Sequence, residues 1–270
     1  MDKMLDFFGL QKYPFSNGID DSDSPFASAD LNQALAVYKY TVKKKGISCV
    51  CGDTGKGVSY SAYQFKKSLA SSPHTVKYMN VFHISPRDFY REICRTLDIS
   101  PDEKSRQARI TAIQERADLF QNQGQPLVLI LDNAQNIPEL AFNDLPCLVS
   151  EDYSKSFRMT LILCGSRKLQ HRMYDSSETD WKQELLTHYI FEGLSRQEVI
   201  SYVRHRITIA GGNDDLVQES IFEELYDLSR NGYCKDINNI LQEAMLVAFL
   251  NKRTVIDLDV LRAAVEHRNL

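Results

Sequence analysis

No run of apolar residues in this chain approaches the length that a membrane-spanning helix needs, about 20 residues. The opening stretch, MDKMLDFFGL, has no long apolar segment followed by a small-residue cleavage site. The chain therefore reads as mature, soluble and cytoplasmic, with no membrane partner. An excess of base is also missing. A formal charge of −4 and a pI near 5.9 exclude a surface coated in cations for nonspecific nucleic-acid binding, and leave room only for a local basic strip. The six cysteines form no framework. Cys49 and Cys51 alternate along a strand-like run and face one side, but no second pair has zinc-ligand spacing. They read as buried thiols in a reducing compartment.

What is present is ample core material. A chain of 270 residues, 43% of them hydrophobic, can build one large domain or two smaller ones. One stretch organises the rest: Gly52-Asp53-Thr54-Gly55-Lys56-Gly57-Val58-Ser59, between an apolar run (Ile47 to Cys51) and a helical pattern (Ser59 to Leu69). Strand, glycine-rich turn and helix is the setting of a phosphate-binding loop. Its backbone N–H groups cradle oxygens at a helix N-terminus. The usual spacing is G-x-x-x-x-G-K-[ST]. Gly52, Gly57 and Ser59 satisfy it, but Val58 stands where the lysine belongs and a lysine occurs two places earlier, at Lys56. A lysine stem is long and flexible enough for Lys56 to reach bound phosphates.

Around the loop the pattern alternates. Residues 1 to 28 carry Phe7, Phe8, Tyr13, Phe15 and Phe26 among prolines and glycines, an irregular segment anchored by aromatics. A helix from Asp30 to Lys44 ends in Lys43-Lys44-Lys45-Gly46. The cations and the glycine suit a solvated helix C-terminus, with a DNA-backbone contact as the alternative. Thr75 to Val81 is a second strand. Ser85-Pro86 opens a helix through Leu97, and a polar helix spans about Lys104 to Gln121. Leu127 to Leu131, apolar on both faces, ends at Asp132-Asn133 and reads as a central parallel strand. A helix follows Pro138, then a strand from Thr160 to Cys164, and Tyr189 to Phe191 is a candidate fifth strand. Such alternation predicts a three-layer α/β sheet with ligands at the strands' carboxyl ends. After Gly193 only helical periodicity remains, in a domain of about 75 residues.

Taken in order, FFGL…PFS, the glycine loop, LILDNAQN, LILCGS, FEGLS, Tyr202-Val203-Arg204-His205-Arg206 and Asp236-Ile237-Asn238-Asn239 resemble the ExeA/TnsC-like AAA+ ATPases, especially the short form encoded beside a transposase. The resemblance covers nearly the whole chain. It implies an αβα P-loop NTPase (AAA+) sheet domain over residues 1–192, including the N-terminal anchoring segment, and an all-α lid over residues 193–270. It also implies ATP with Mg²⁺ between the two, ring or filament assembly, often on duplex DNA, and ATP-gated communication with a transposase or related recombination protein. Other members of the family serve secretion or envelope assembly.

By that resemblance Gly52 to Ser59 and Lys235 bind nucleotide, Ser59 and Asp132 hold Mg²⁺, and Asp132-Asn133 is the catalytic pair. The departures fall on catalytic parts. Val58 replaces the loop lysine, Asn133 the water-polarising glutamate and Lys235 the lid arginine. The stretch Trp181 to His188, where an arginine finger is expected, has none, with only Arg167 and Arg172 upstream. An amide positions water but cannot take its proton, and an arginine finger alone contributes about 10³–10⁵ in rate. The expectation is nucleotide binding with weak or absent hydrolysis. Candidate DNA contacts are Lys43, Lys44, Lys45, Lys66, Lys67 and the stripe Arg87, Arg91, Arg95 at four-residue spacing. The alternative reading is a pseudo-ATPase scaffold for another AAA+ subunit or a secretion component, without DNA.

Overall fold

The computed structural model describes residues 2–18, 20–100, 105–150, 157–175 and 181–268. Five strands, β1 (Gly46–Cys51), β2 (Thr75–Asn80), β3 (Leu127–Asp132), β4 (Thr160–Gly165) and β5 (Leu185–Ile190), form one sheet in the order β2-β3-β4-β1-β5. Every pairing is parallel. Every residue of β1, β3 and β4 is buried, which is why their sequences run apolar without alternation. β2 and β5 are the edges and are only partly covered. β5 begins at Leu185, ahead of the expected Tyr189, because an edge strand alternates covered and exposed residues instead of forming an apolar run.

The helices are α1 (Lys3–Phe8), α2 (Ala29–Lys44), α3 (Val58–Ser68), α4 (Pro86–Thr96), α5 (Arg106–Asn122), α6 (Glu139–Val149), α7 (Arg167–Asp175), α8 (Trp181–Glu184), α9 (Arg196–Ile209), α10 (Phe222–Leu228), α11 (Cys234–Leu250) and α12 (Leu258–Arg268). Successive strand residues face opposite ways, and two cores result. Val50, Val128, Ile130, Ile162 and Cys164 pack with Tyr38 of α2 and with Ala62 and Phe65 of α3. Cys49, Cys51, Leu129, Leu131, Leu161 and Leu163 pack with Phe89 and Ile93 of α4, Ile113 of α5, Phe142 of α6 and Trp181 of α8. Each fully buried apolar side chain contributes about 1.5–3 kcal/mol. The sheet unit is thus the αβα sandwich expected. Ser85 caps α4 by accepting the Asp88 N–H (3.2 Å). Ser105 caps α5 in the same way (3.1 Å), and the expected start at Lys104 lies outside the described residues.

The chain divides into a sheet unit (Leu31–Thr54 and Val58–Phe191) and a helical unit (Met1–Asp30, Gly55–Gly57 and Glu192–Leu270). The opening segment, expected with the sheet, groups with the C-terminal helices. It is also less irregular than expected. Asp2 caps α1, and Gly9 ends it in the left-handed region (φ 65°). Leu10 and Phe15 then join Val203, Ile207 and Leu241 in the helical unit's core. The Arg206 guanidinium donates to the carbonyls of Pro14 and Ser16. Ser195 and Glu198 form a capping box at the start of α9, and Glu198 Oε1 also accepts the Ala29 N–H (2.7 Å). The Asp30 carboxylate accepts N–H bonds from Glu192 (3.2 Å) and Gly193 (2.8 Å). No helix among the described residues is long and apolar enough to cross a membrane.

Candidate functional site

A parallel sheet puts all strand carboxyl ends on one edge, so the start of the glycine loop after β1, Asn80 and Asp132 at the ends of β2 and β3, and Ser166 after β4 share that edge. Gly52 donates its N–H to the Gly165 carbonyl (3.1 Å), fixing where the loop leaves the sheet. A Cβ at position 52 would lie 2.7 Å from Cβ of Phe191, so only glycine fits. Gly55 and Gly57 have φ of 103° and 107°, a region that glycine enters without strain. The loop's backbone therefore turns where glycine is needed.

Its side chains differ from the usual set. Val58 is a core residue, 8% exposed, packed with Ala62, Phe65 and Phe191. The position that a cation would occupy is thus absorbed into the apolar layer. Ser59 is exposed, as is Thr54, and Asp53 lies 3.3 Å from Nε of Arg167. Lys56 is buried at 6% exposure, its ammonium 4.7 Å from the centroid of the Tyr233 ring. Arg230 stacks on the same ring, its Cζ 4.2 Å from the centroid. Lys235 is exposed, and its backbone N–H donates to the Gly55 carbonyl (3.0 Å).

Asp132 is 2% exposed, and both its oxygens accept hydrogen bonds. The Tyr78 hydroxyl donates to Oδ2 (2.6 Å) and the Asn133 N–H to Oδ1 (2.9 Å). Burial, then the hydrogen bond to Asp132, pushes the Tyr78 hydroxyl well above the ordinary phenol range, so it remains a donor. Asn133 sits in the left-handed region (φ 55°), which asparagine tolerates better than glutamate. Its amide is engaged at both ends, donating to Asn80 Oδ1 (2.8 Å) and accepting from Gln135 Nε2 (3.2 Å). Gln135 Oε1 in turn accepts the Ser166 N–H (2.9 Å). A side chain held this way orients polar neighbours and takes up no proton. Among the described residues no cluster of three or more His, Cys, Asp and Glu is arranged to hold a metal. A Mg²⁺ bound through one carboxylate, one hydroxyl and phosphate oxygens needs no such cluster.

Of the upstream arginines, Arg172 is occupied by Glu139, by the carbonyls of Gln135 and Ile137, and by the Phe142 ring. The candidate DNA stripe is interleaved with acid: Arg91 pairs with Asp88 and Arg95 with Glu92, while Arg87 is exposed. Lys43, Lys44, Lys66 and Lys67 are exposed, and Lys45 bonds Gln121 (2.9 Å). The structure thus adds Tyr78 beside Asp132, a residue with no sequence signal of its own, since it reaches the carboxylate through tertiary packing.

Residues 41–173 match the family model described as an AAA domain. The fold is that of an AAA+ P-loop module. Cdc6p from Pyrobaculum aerophilum superposes with a TM-score of 0.74 at 15% identity, over 94% of this chain and 70% of that one. The ORC1 protein of Aeropyrum pernix, in complex with DNA, superposes with a TM-score of 0.65 at 12% identity, over 94% and 68%. Likeness at these identities is likeness of fold. In sequence, the chain is 25% identical over 267 residues to General secretion pathway protein A of Aeromonas hydrophila, covering 96% of this chain and 48% of that protein. The chain therefore spans about half the length of that relative. The AAA+ fold implies nucleotide binding, usually with Mg²⁺.

Proposed function

We propose that this chain is a nucleotide-binding AAA+ regulator that hydrolyses ATP slowly or not at all and acts through what it assembles with. The observation that carries this reading is the Asp132-Asn133 pair: a buried carboxylate kept in place beside an amide tied to Asn80 and Gln135. Asp132 and Ser59 would hold Mg²⁺, and the loop backbone from Gly52 to Ser59 would cradle the phosphates. Bound Mg²⁺ would neutralise phosphate charge. The chain's own groups position the nucleotide but offer no base for the attacking water.

For the partner, the resemblance to short transposase-associated ATPases supports assembly on duplex DNA with a transposase-class protein, in a ring or filament. Exposed Lys43, Lys44, Lys66, Lys67 and Arg87 are the cations for it, with Arg91 and Arg95 contributing less because Asp88 and Glu92 lie beside them. A second reading, an adaptor in a secretion assembly without DNA, is favoured by the relative from Aeromonas hydrophila. Phosphate release by purified protein, with and without duplex DNA, tests the first part. The expected result is near-background turnover beside measurable ATP binding. Fast turnover abolished by Asp132→Ala would overturn it. Binding to duplex DNA that weakens steeply with salt supports the DNA reading, and no binding at low salt, with or without ATP, supports the adaptor.

A further inference from the structure

The sheet is incompletely covered where β5 joins it. β5 is an edge strand, its register against β1 shifts between Ile47 and Ser48, and α8, just before it, is only four residues long. A cavity of about 190 Å³ lies there, wholly within the sheet unit. It is lined by Cys49 and Cys51 of β1, Met173 of α7, Trp181 of α8, and Leu185 and His188 of β5. An apolar cavity of roughly 150 Å³ stays dry and takes benzene. This one is larger and suits two fused rings.

The walls narrow the chemistry of a guest. Sulfur and aromatic surfaces favour a flat aromatic molecule. No Asp, Glu, Lys or Arg is among the described residues that line the cavity, so an ionised guest would lose its hydration and gain no fixed counter-charge. One donor stands alone. Trp181 is 1% exposed, and its Nε1–H has no hydrogen-bond partner among the described residues. A buried indole N–H ordinarily has a partner, and a buried donor left without one is costly. Phe142 packs against the indole with ring centroids 4.6 Å apart, which restrains it from turning toward water. The thiols of Cys49 and Cys51, by contrast, are hydrogen-bonded to each other.

We propose that this cavity binds a neutral, planar, bicyclic aromatic molecule with a hydrogen-bond acceptor, and that the Trp181 indole N–H donates to that acceptor. None of the lining residues belongs to the glycine loop or to the hydrogen bonds around Asp132, so the guest is distinct from a nucleotide. It is an effector by position: Cys51 is followed directly by Gly52, and an occupant bears on the strand that carries the loop.

The test uses the full chain and two isosteric probes, quinoline and naphthalene, which differ by one ring nitrogen. In equilibrium dialysis the native chain should hold quinoline about three- to tenfold more tightly, the worth of one hydrogen bond. In Trp181→Phe, with circular dichroism confirming the fold, that preference should vanish. Cys51→Leu, which fills the cavity, should weaken both probes by about tenfold or more. On the native chain, quinoline should slow modification of Cys49 and Cys51 by methyl methanethiosulfonate, followed by peptide mass analysis, and leave the exposed Cys147 unaffected. The assignment is overturned if the native chain retains neither probe near its solubility limit, if the quinoline preference is absent or survives in Trp181→Phe, or if Cys51→Leu binds both probes as native does. Equal protection of Cys147 would mark adventitious binding only and would overturn it too. Should Trp181→Phe fail to fold, thiol protection on the native chain decides.

Discussion

Replacing Tyr78 by phenylalanine removes one oxygen and leaves the ring, and with it the Lys66 ammonium 5.8 Å from the ring centroid. What it deletes is the 2.6 Å hydrogen bond to Oδ2 of Asp132, a carboxylate only 2% exposed. A hydrogen bond to a charged group is worth about 1.5–3 kcal/mol. Tyr78 is itself only half-buried, so water reaches the vacated lone pair and holds the loss near the lower end, about 1.5–2 kcal/mol. For a chain of this size that is a fall of about 3–8 °C in melting temperature. The same deletion releases an oxygen of Asp132 for Mg²⁺, so saturating Mg²⁺-ATP should return part of the loss by linkage. The assay is urea unfolding followed by Trp181, the chain's single tryptophan, which is 1% exposed and lies in the sheet unit. That probe reads the unit in question without assuming that both units unfold together. A midpoint within about 0.5 kcal/mol of native would refute the reasoning, because it would mean that Asp132 draws no support from the hydroxyl.

Val58→Lys restores the letter of the loop motif but puts an ammonium into an apolar layer. It should destabilise the apo sheet unit by about 2 kcal/mol or more, with partial recovery on adding Mg²⁺-ATP, in thermal shift assays with and without nucleotide. The Cys164 thiol is fully buried beside the Tyr38 hydroxyl, and burial pushes it above the ordinary thiol range. The unfolded chain then loses this proton first. The thiol's contribution is full below about pH 8.5 and drains away as pH rises above it. Denaturation midpoints measured from pH 7 to 10 should therefore fall less steeply in Cys164→Ala than in the native chain.

Legibility followed the range of the interaction involved. β3 and β4 are written as continuous apolar runs, and Gly52, Gly55 and Gly57 as spaced glycines, because covering a sheet on both faces and turning a loop are local demands. The cap on α4 was legible for the same reason. The extent of β5 was not, since alternation at a half-covered edge is a weak pattern over six residues. The placing of residues 1–30 was not legible either, because Leu10 and Phe15 are apolar whichever core receives them. Val58 at the lysine position could be read by spacing, and Asn133 and Lys235 only through the family resemblance, but what these residues touch could not be read. Val58 turning into the core, Tyr78 reaching across to Asp132, and Lys56 lying against the Tyr233 ring are all contacts between residues distant in sequence.

The bonds from Arg206 to Pro14 and Ser16 close loops of 192 and 190 residues. Chains are made at about 5–20 residues per second, so the opening segment waits roughly 10–40 s before its partner on α9 exists. For that interval Leu10, Phe15 and the aromatics of α1 leave the ribosome with nothing to cover them. The sheet unit's segments, from Leu31 to Phe191, are all synthesised before α9 and can close first. Synthesis of this chain thus has a built-in order, sheet before helices, with Leu10 and Phe15 left uncovered until α9 arrives.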